Sequence, residues 1–141
     1  MRTILLLSLT TIIGLTSCEK NDDNNSITCG KQIILDEDLY DSVNTQYYTI
    51  LDAVITDDCL EVEIYSGGCD GSTWEVSLVD SEAIAESYPI QRFIKLSLKN
   101  EEICLAMVAK RYSFDLKPIR TTDNQISLNL ENWSNPLLYS Y

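Results

Sequence analysis

The sequence predicts an all-β domain, either an antiparallel β-sandwich or a partly closed barrel of about six to eight strands. Apolar residues alternate with polar ones over several short runs, and turn residues separate these runs. Four cysteines beyond the N-terminal region are an even number, which is typical of disulfides in a small domain. With 141 residues, the chain is long enough for one domain.

The alternating runs define the expected strands. Residues 103–109 are apolar on both faces and are expected to form a central strand, which 113–116 could extend until Pro118 ends it. Trp133 with 137–138 is expected to cap one end of the core, and only 81–87 (SEAIAES) favours a helical turn. The other expected strands are 48–56, 60–65, 74–79 (with Trp74 in the core), 94–99 and 126–130.

Two segments between strands are expected to be irregular. Residues 66–71 (SGGCDG) are predicted to be a turn, since three glycines suit positive φ angles. Residues 80–91 form the longest predicted loop, and loops on a rigid β-scaffold often carry binding residues. Tyr88, Pro89 and Gln91 are therefore candidate binding residues, with an ordinary crossover as the alternative.

Strand directions favour one pairing of the four internal cysteines. If the strands run up and down, Cys59 and Cys69 lie at opposite ends of one strand, beyond the ~7 Å Cα separation that a disulfide allows. Cys69 and Cys104 share one end, so we expect Cys69–Cys104 and Cys29–Cys59. One disulfide with two free, buried thiols is the alternative.

The N-terminus carries an export pattern. Arg2 precedes an apolar run from Ile4 to Leu15, which is shorter than the about 20 residues that a membrane span needs. The run ends in Leu15-Thr16-Ser17-Cys18, which resembles a lipobox. The resemblance implies that residues 1–17 are a signal peptide and that Cys18 is lipidated and becomes the new N-terminus.

A polar segment follows Cys18. Residues 18–28 are expected to be a flexible tether before a single domain at 29–141. The acidic residues of the tether resemble the signal that sends lipoproteins of Bacteroidota-type bacteria to the cell surface, while a plain spacer is the alternative. We therefore expect an outer-membrane anchor, with the domain on the periplasmic or the cell-surface side.

Composition excludes several function classes. The chain has 10 basic and 22 acidic residues, and loss of Arg2 with the signal would make the net charge −13. Such acidity disfavours nucleic acids and anionic lipid surfaces, while cationic partners remain open. The sequence contains no histidine, so zinc sites and histidine-dependent catalysis are not expected. We expect no cofactor, no catalytic residues and no bound metal.

Some residues have alternative interpretations. The acidic segment 36–41 is expected to be a solvated loop, with calcium binding as the alternative. Asp57, Asp58 and Asp70 are expected to be turn residues, although paired carboxylates could act in an enzyme. Tyr139 and Tyr141 are candidates for an exposed aromatic surface of the kind that binds sugars, with fraying of the terminus as the alternative.

The motifs SGGC at 66–69, Cys104 and FDL at 114–116 resemble a group of small, uncharacterised, secreted bacterial lipoproteins. Members of the group tend to carry a histidine shortly after the SGGC cysteine, whereas residues 70–74 here contain none. The resemblance implies no activity. The expected function is that of a non-catalytic binding or envelope-associated module with a protein or glycan ligand. An inhibitor or accessory protein of an envelope enzyme or transport system is the alternative.

Overall fold

The structure is a computed structural model that describes residues 28–141. The predicted signal peptide, Cys18 and nearly all of the predicted tether lie outside the described residues. Nine strands form two sheets, with one short helix and one 3-10 turn. The elements are β1 Lys31–Gln32, β2 Ile34–Leu35, α1 Glu37–Ser42, β3 Thr49–Thr56, β4 Cys59–Gly68, β5 Glu75–Ala85, β6 Ile90–Lys99, β7 Ala106–Asp115, the 3-10 turn Lys117–Ile119, β8 Gln125–Leu130 and β9 Leu137–Ser140.

The two sheets confirm an all-β sandwich rather than a closed barrel. One sheet has the order β1-β7-β4-β3, and the other has the order β2-β5-β6-β8-β9. Most neighbours are antiparallel, as predicted, but β1–β7, β2–β5 and β6–β8 are parallel. The β6–β8 pair is parallel because β7, the strand between them in sequence, lies in the other sheet and brings the chain back to the end where β6 starts.

The core lies between the sheets and follows the predicted alternation. On β4, Leu60, Val62 and Ile64 are fully buried, while Glu61 and Glu63 are only half-buried. Burying such an aliphatic side chain stabilises the fold by roughly 1.5–3 kcal/mol. The predicted core residue Trp74 is also buried, and Trp133 packs against the core from its edge.

The two disulfides are the expected pairs and lie at opposite ends of the sandwich. Cys29–Cys59 has a Cα–Cα distance of 5.4 Å, and Cys69–Cys104 has one of 4.7 Å. We call the end with Cys29–Cys59 the entry end, because the described chain begins there, and the end with Cys69–Cys104 the far end. The ten residues of β4 connect the two ends over about 30 Å.

The prediction of a loop at 80–91 is wrong for most of that segment. β5 continues to Ala85 and β6 begins at Ile90, so only residues 86–89 connect them, and the helical turn expected at 81–87 is absent. A bulge between Asp80 and Ile84 shifts the register of the two strands, and Glu82 there has a φ of +60°. The bulge interrupts the alternation, which explains why the sequence pattern indicates a loop.

Two other expectations need correction. Residues 66–68 are the last residues of β4 rather than part of a turn, and of the glycines in that motif only Gly71 has a positive φ, +67°. The expected central strand begins later than predicted. β7 does lie between β1 and β4, but Ile103 and Leu105 precede it and are 93% and 98% exposed.

Candidate functional site

A cleft of about 670 Å³ opens at the entry end of the second sheet. β5 ends and β6 begins at this end, and the parallel partner of β6, β8, also begins there. β9 runs antiparallel to β8 and therefore ends there too. The topology thus gathers three segments that are distant in sequence. The lining residues are Tyr88, Thr122, Asp123, Asn124, Gln125, Ser140 and Tyr141.

Tyr88 forms one side of the cleft from the tip of the β5–β6 hairpin. Its side chain is 91% exposed, and its peptide bond to Pro89 is cis. The hairpin tip is held by Ser87, whose hydroxyl donates to the carbonyl of Pro89 at 2.6 Å. Gln91 lies in β6, where its amide nitrogen donates to Ser87 Oγ at 3.3 Å. Of the three candidate binding residues, only Tyr88 lines the cleft.

Tyr141 forms the opposite side and is fixed by several contacts. Its backbone N–H donates to the carbonyl of Asn124 at 3.1 Å, and its hydroxyl accepts from the backbone N–H of Thr121 at 2.7 Å. The Arg120 guanidinium lies 4.8 Å from its ring centre, and the Tyr139 ring lies 4.7 Å from it. Tyr141 is therefore held in place before any ligand arrives, which lowers the entropic cost of binding.

A network of ion pairs and hydrogen bonds holds Arg120 and Tyr139, which pack against the Tyr141 ring. Asp58 Oδ1 accepts hydrogen bonds from the hydroxyl of Tyr139 at 2.6 Å and from the guanidinium of Arg120. Arg120 Nε also donates to the Tyr139 hydroxyl at 2.9 Å, and Lys117 lies 3.8 Å from the other carboxylate oxygen of Asp58. Tyr139 is fully buried, so the sequence-based expectation of its exposure is wrong.

The network shifts two pKa values in opposite directions. Burial raises the pKa of Asp58, but the hydrogen bonds from Tyr139 and Arg120 and the charges of Arg120 and Lys117 outweigh it, so the pKa is lowered. Burial and the hydrogen bond to Asp58 raise the pKa of Tyr139 to about 12. At neutral pH the network is therefore an ion pair bridged by a neutral phenol.

The lining residues define what the cleft can bind. Besides the two tyrosines, they offer hydroxyl groups, amide groups and the carboxylate of Asp123. Hydroxyl and amide groups both donate and accept hydrogen bonds, whereas the seven lining residues include no lysine or arginine. The arrangement suits a neutral ligand with many hydroxyl groups better than an anion.

Asp58 lies in the network that holds Arg120 and Tyr139 beside the cleft, whereas the other remaining candidate residues contribute nothing to the cleft lining. The acidic segment 36–41 is not a loop: Asp36 caps helix α1, with its Oδ1 accepting from Leu39 N at 2.8 Å. Asp58 and Asp70 flank opposite ends of β4. Within residues 28–141, no three His, Cys, Asp or Glu side chains are placed to share a metal ion. In the same range, no helix has the length and apolar character that a membrane crossing requires.

Sequence reasoning missed two charged pairs and five of the seven residues that line the cleft. Neither the Asp58–Arg120 contact nor the Asp80–Arg92 ion pair was expected, since each joins residues from separate elements. Residues 122–125 were also missed. Their run of small polar side chains directly before an alternating strand is a turn signal that could have marked them.

Comparisons with known proteins support the fold alone. No protein-family model matches the chain, and no curated protein matches it either. The fold is similar to the crystal structure of a protein of unknown function, DUF1344, from Bacteroides vulgatus. The TM-score is 0.52 at 20% sequence identity, and the match covers 79% of this chain and 55% of that one. This chain therefore spans about half the length of the protein that it resembles.

Proposed function

We propose that the chain is a lipid-anchored, extracytoplasmic binding module that holds a neutral glycan segment in the cleft between Tyr88 and Tyr141. The observation that carries the ligand assignment is the lining itself, with two tyrosine rings beside hydroxyl and amide groups and no basic side chain. Aromatic rings pack against the apolar faces of sugar rings, while amide and hydroxyl groups bind sugar hydroxyls.

The anchor is the part of the proposal that rests on the sequence. The Leu15-Thr16-Ser17-Cys18 pattern indicates that Cys18 carries lipid, which would place the module on the outer membrane, facing the periplasm or the cell exterior. Two disulfides in the domain support an oxidising compartment. Intact-mass measurement of the protein from its native host tests this step. A chain that still begins at Met1 with an unmodified Cys18 would contradict it.

The ligand is tested by screening neutral oligosaccharides against the folded domain. Tyr88→Ala should weaken binding about tenfold, because a stacked ring contributes about 1–1.5 kcal/mol. The matched control is Tyr47→Ala, since Tyr47 is also an exposed tyrosine, 67% accessible, but lies outside the cleft lining. Equal affinity of the two variants, or the absence of any neutral glycan ligand, would contradict the assignment.

An inhibitor or accessory role is the second candidate. It is favoured by the exposure of Tyr88, which projects from a rigid hairpin tip as a protein-binding residue would. Crosslinking through position 86, an exposed position next to the hairpin tip, separates the two candidates in native membranes, because Tyr88 itself stays available for substitution. Recovery of one envelope enzyme or transporter, lost in Tyr88→Ala, would support this second role over glycan binding.

A further inference from the structure

Two large aliphatic side chains project from the far end of the sandwich. Ile103 is 93% exposed and Leu105 is 98% exposed, one on each side of Cys104. We call these two side chains the apolar tip. Isoleucine and leucine are among the residues most often buried, so two fully exposed neighbours on a turn point to an apolar environment that covers them.

The backbone that carries the apolar tip is rigidly held. Cys104 is bonded to Cys69, and the carboxylate of Glu102 accepts backbone N–H groups from Cys69 at 2.5 Å, Gly71 at 3.0 Å and Thr73 at 3.3 Å. The N–H of Glu102 donates to Asn100 Oδ1 at 2.9 Å, while Asn100 Nδ2 donates to the carbonyl of Gly67 at 2.6 Å. Because Glu102 and Cys104 are both held in place, the backbone conformation of the loop keeps Ile103 and Leu105 exposed.

The shape of the apolar tip narrows the choice of partner. A stable protein interface buries about 800 Å² on each partner, usually over 20 to 30 residues. Two exposed side chains on a loop present much less area, and a fluid layer of lipid can cover them without a matching groove. We propose that the apolar tip inserts into the bilayer to which the chain is anchored. The proposal rests on the lipid anchor described above, but not on the glycan cleft.

The tether is long enough for this contact. Ten residue steps separate Cys18 from Thr28, and a chain of that length spans at most about 33–36 Å. The far end lies about 30 Å from the entry end along β4, which is within the extended length of the tether, and a tilted domain brings Thr28 closer to the bilayer while the tip contacts lipid. The anchor keeps the domain beside the membrane, so a weak contact is sufficient.

Two consequences follow from this orientation. The Tyr88–Tyr141 cleft lies at the opposite end, so insertion of the apolar tip turns the cleft away from the bilayer and towards the surrounding medium. Exposed charges of both signs lie near the tip: Lys99 is 3.5 Å from Glu101, and the charge of Lys110 acts on Asp70, but the chain as a whole carries 22 acidic and 10 basic residues. Zwitterionic lipid is therefore the preferred surface, since anionic lipid would repel this acidic chain.

Neutron reflectometry of the lipidated chain on a supported phosphatidylcholine bilayer tests the proposal. In the parent protein, the protein layer should contact the lipid headgroups. In the double variant Ile103→Ser with Leu105→Ser, the layer should move outward by about 10 Å, which is less than the about 33–36 Å that ten residue steps can span. The control is Leu51→Ser with Leu138→Ser, which removes two leucines that are 49% and 55% exposed elsewhere and should keep the parental profile.

Each other outcome has a defined meaning. A parent layer that stands off from pure lipid, or a profile that the double variant leaves unchanged, overturns lipid insertion and leaves a protein as the partner. Contact that is stronger on phosphatidylglycerol than on phosphatidylcholine overturns it as well. If intact mass shows no lipid on Cys18, the anchor of the proposed function fails separately. The Cys18 thiol is then coupled to a maleimide lipid, so that the apolar tip is tested in either case.

Discussion

The two ends of the sandwich are held together by different chemistry. At the entry end, the Cys29–Cys59 disulfide is buried, with exposures of 9% and 2%, and charged side chains pair with each other. At the far end, the Cys69–Cys104 disulfide is exposed, and one carboxylate, that of Glu102, binds the backbone of the neighbouring loop. The first arrangement uses side chains from several segments of the chain, whereas the second uses one side chain and the main chain.

This difference fits the two surfaces that we propose. The Asp58–Arg120 pair supports the cleft because Arg120 also contacts Tyr139 and Tyr141 and so holds both side chains in position. Glu102 holds the loop through hydrogen bonds from backbone N–H groups, so the side chains of Ile103 and Leu105 can point outward and form the apolar tip. A ligand cleft needs positioned side chains, while a tip that enters lipid needs only a rigid backbone.

The largest loss of stability is expected from breaking the buried Asp80–Arg92 ion pair, which lies in the half of the core nearer the entry end. Arg92 Nε donates to Asp80 Oδ2 at 2.8 Å and Arg92 Nη2 to Oδ1 at 2.6 Å, with side-chain exposures of 7% and 0%. Arg92→Met should lower the free energy of unfolding by about 3–5 kcal/mol, because it leaves a buried carboxylate without its partner. Chemical denaturation measures the loss. The double variant Asp80→Leu with Arg92→Met should recover much of it, and a loss as large as in the single variant would contradict this account.

The second effect compares the two disulfides directly. They close loops of similar length, with sequence separations of 30 and 35, so removing either one should cost about 3–4 kcal/mol in the chain-entropy model. The rates of reduction should differ, because thiolate attack needs access to sulfur and only Cys69–Cys104 is exposed. Mild reductant followed by alkylation and peptide mapping should label Cys69 and Cys104 first. Simultaneous labelling of all four cysteines would contradict the comparison.

The strands and the disulfides were predictable because each follows from local or one-dimensional information. The alternation of Leu60, Val62 and Ile64 with polar residues directly indicates that one face of the strand is buried. The up-and-down order of the strands is enough to exclude a Cys59–Cys69 disulfide. Residues 80–85 were misread because the bulge and the buried Asp80 interrupt the alternation. The partner of Asp80, Arg92, has no local signal that marks it as a buried residue.

The cleft could be predicted only in part. Tyr88 was identified from its position before Pro89 in an irregular segment, and Tyr141 from its terminal aromatic position. Their meeting with residues 122–125 depends on the parallel β6–β8 pair, which arises because the chain visits the other sheet in between. Strand patterns indicate that strands exist but not which strands become neighbours, so the site required the three-dimensional structure.

A smaller effect is expected from two adjacent glycines at the far end. A Cβ on Gly68 would lie 2.6 Å from Glu102 Oε2 and 3.0 Å from the Trp74 ring, whereas a Cβ on Gly67 would meet no atom within 4 Å. Gly68→Ala should therefore destabilise the domain by about 1–3 kcal/mol, and Gly67→Ala by less than about 0.5 kcal/mol. Thermal unfolding of both variants measures the contrast. Equal effects would show that Glu102 and Trp74 do not constrain the position of Gly68.

The smallest effect is a local response to pH that separates the two ends. Burial raises the pKa of Glu102, but the N–H groups of Gly71, Cys69 and Thr73 outweigh it and lower the pKa to about 2. A lowered carboxyl pKa gives stabilisation that is present above its ordinary value of 4.5 and is lost as the pH falls towards 2. The Gly71 amide resonance of the folded protein should therefore shift with a midpoint near pH 2 instead of 4.5, and Glu102→Gln should abolish that transition.

The entry end should respond at both extremes of pH. The pKa of Asp58 is lowered, so its contribution is also lost in acid, while the pKa of Tyr139 is raised to about 12. A raised tyrosine pKa stabilises the fold below its ordinary value of 10, and the benefit is lost as the pH rises through 12. The Leu116 amide, which donates to the Asp58 carbonyl at 2.9 Å, should therefore shift in acid and again in alkali. The Gly71 amide should shift mainly in acid; its alkaline shift should be smaller, because the carboxylate that binds it gains no further charge and Tyr112 acts on that carboxylate only through its charge. An alkaline transition of equal size at both amides would mean that the ends unfold together rather than respond through their own groups.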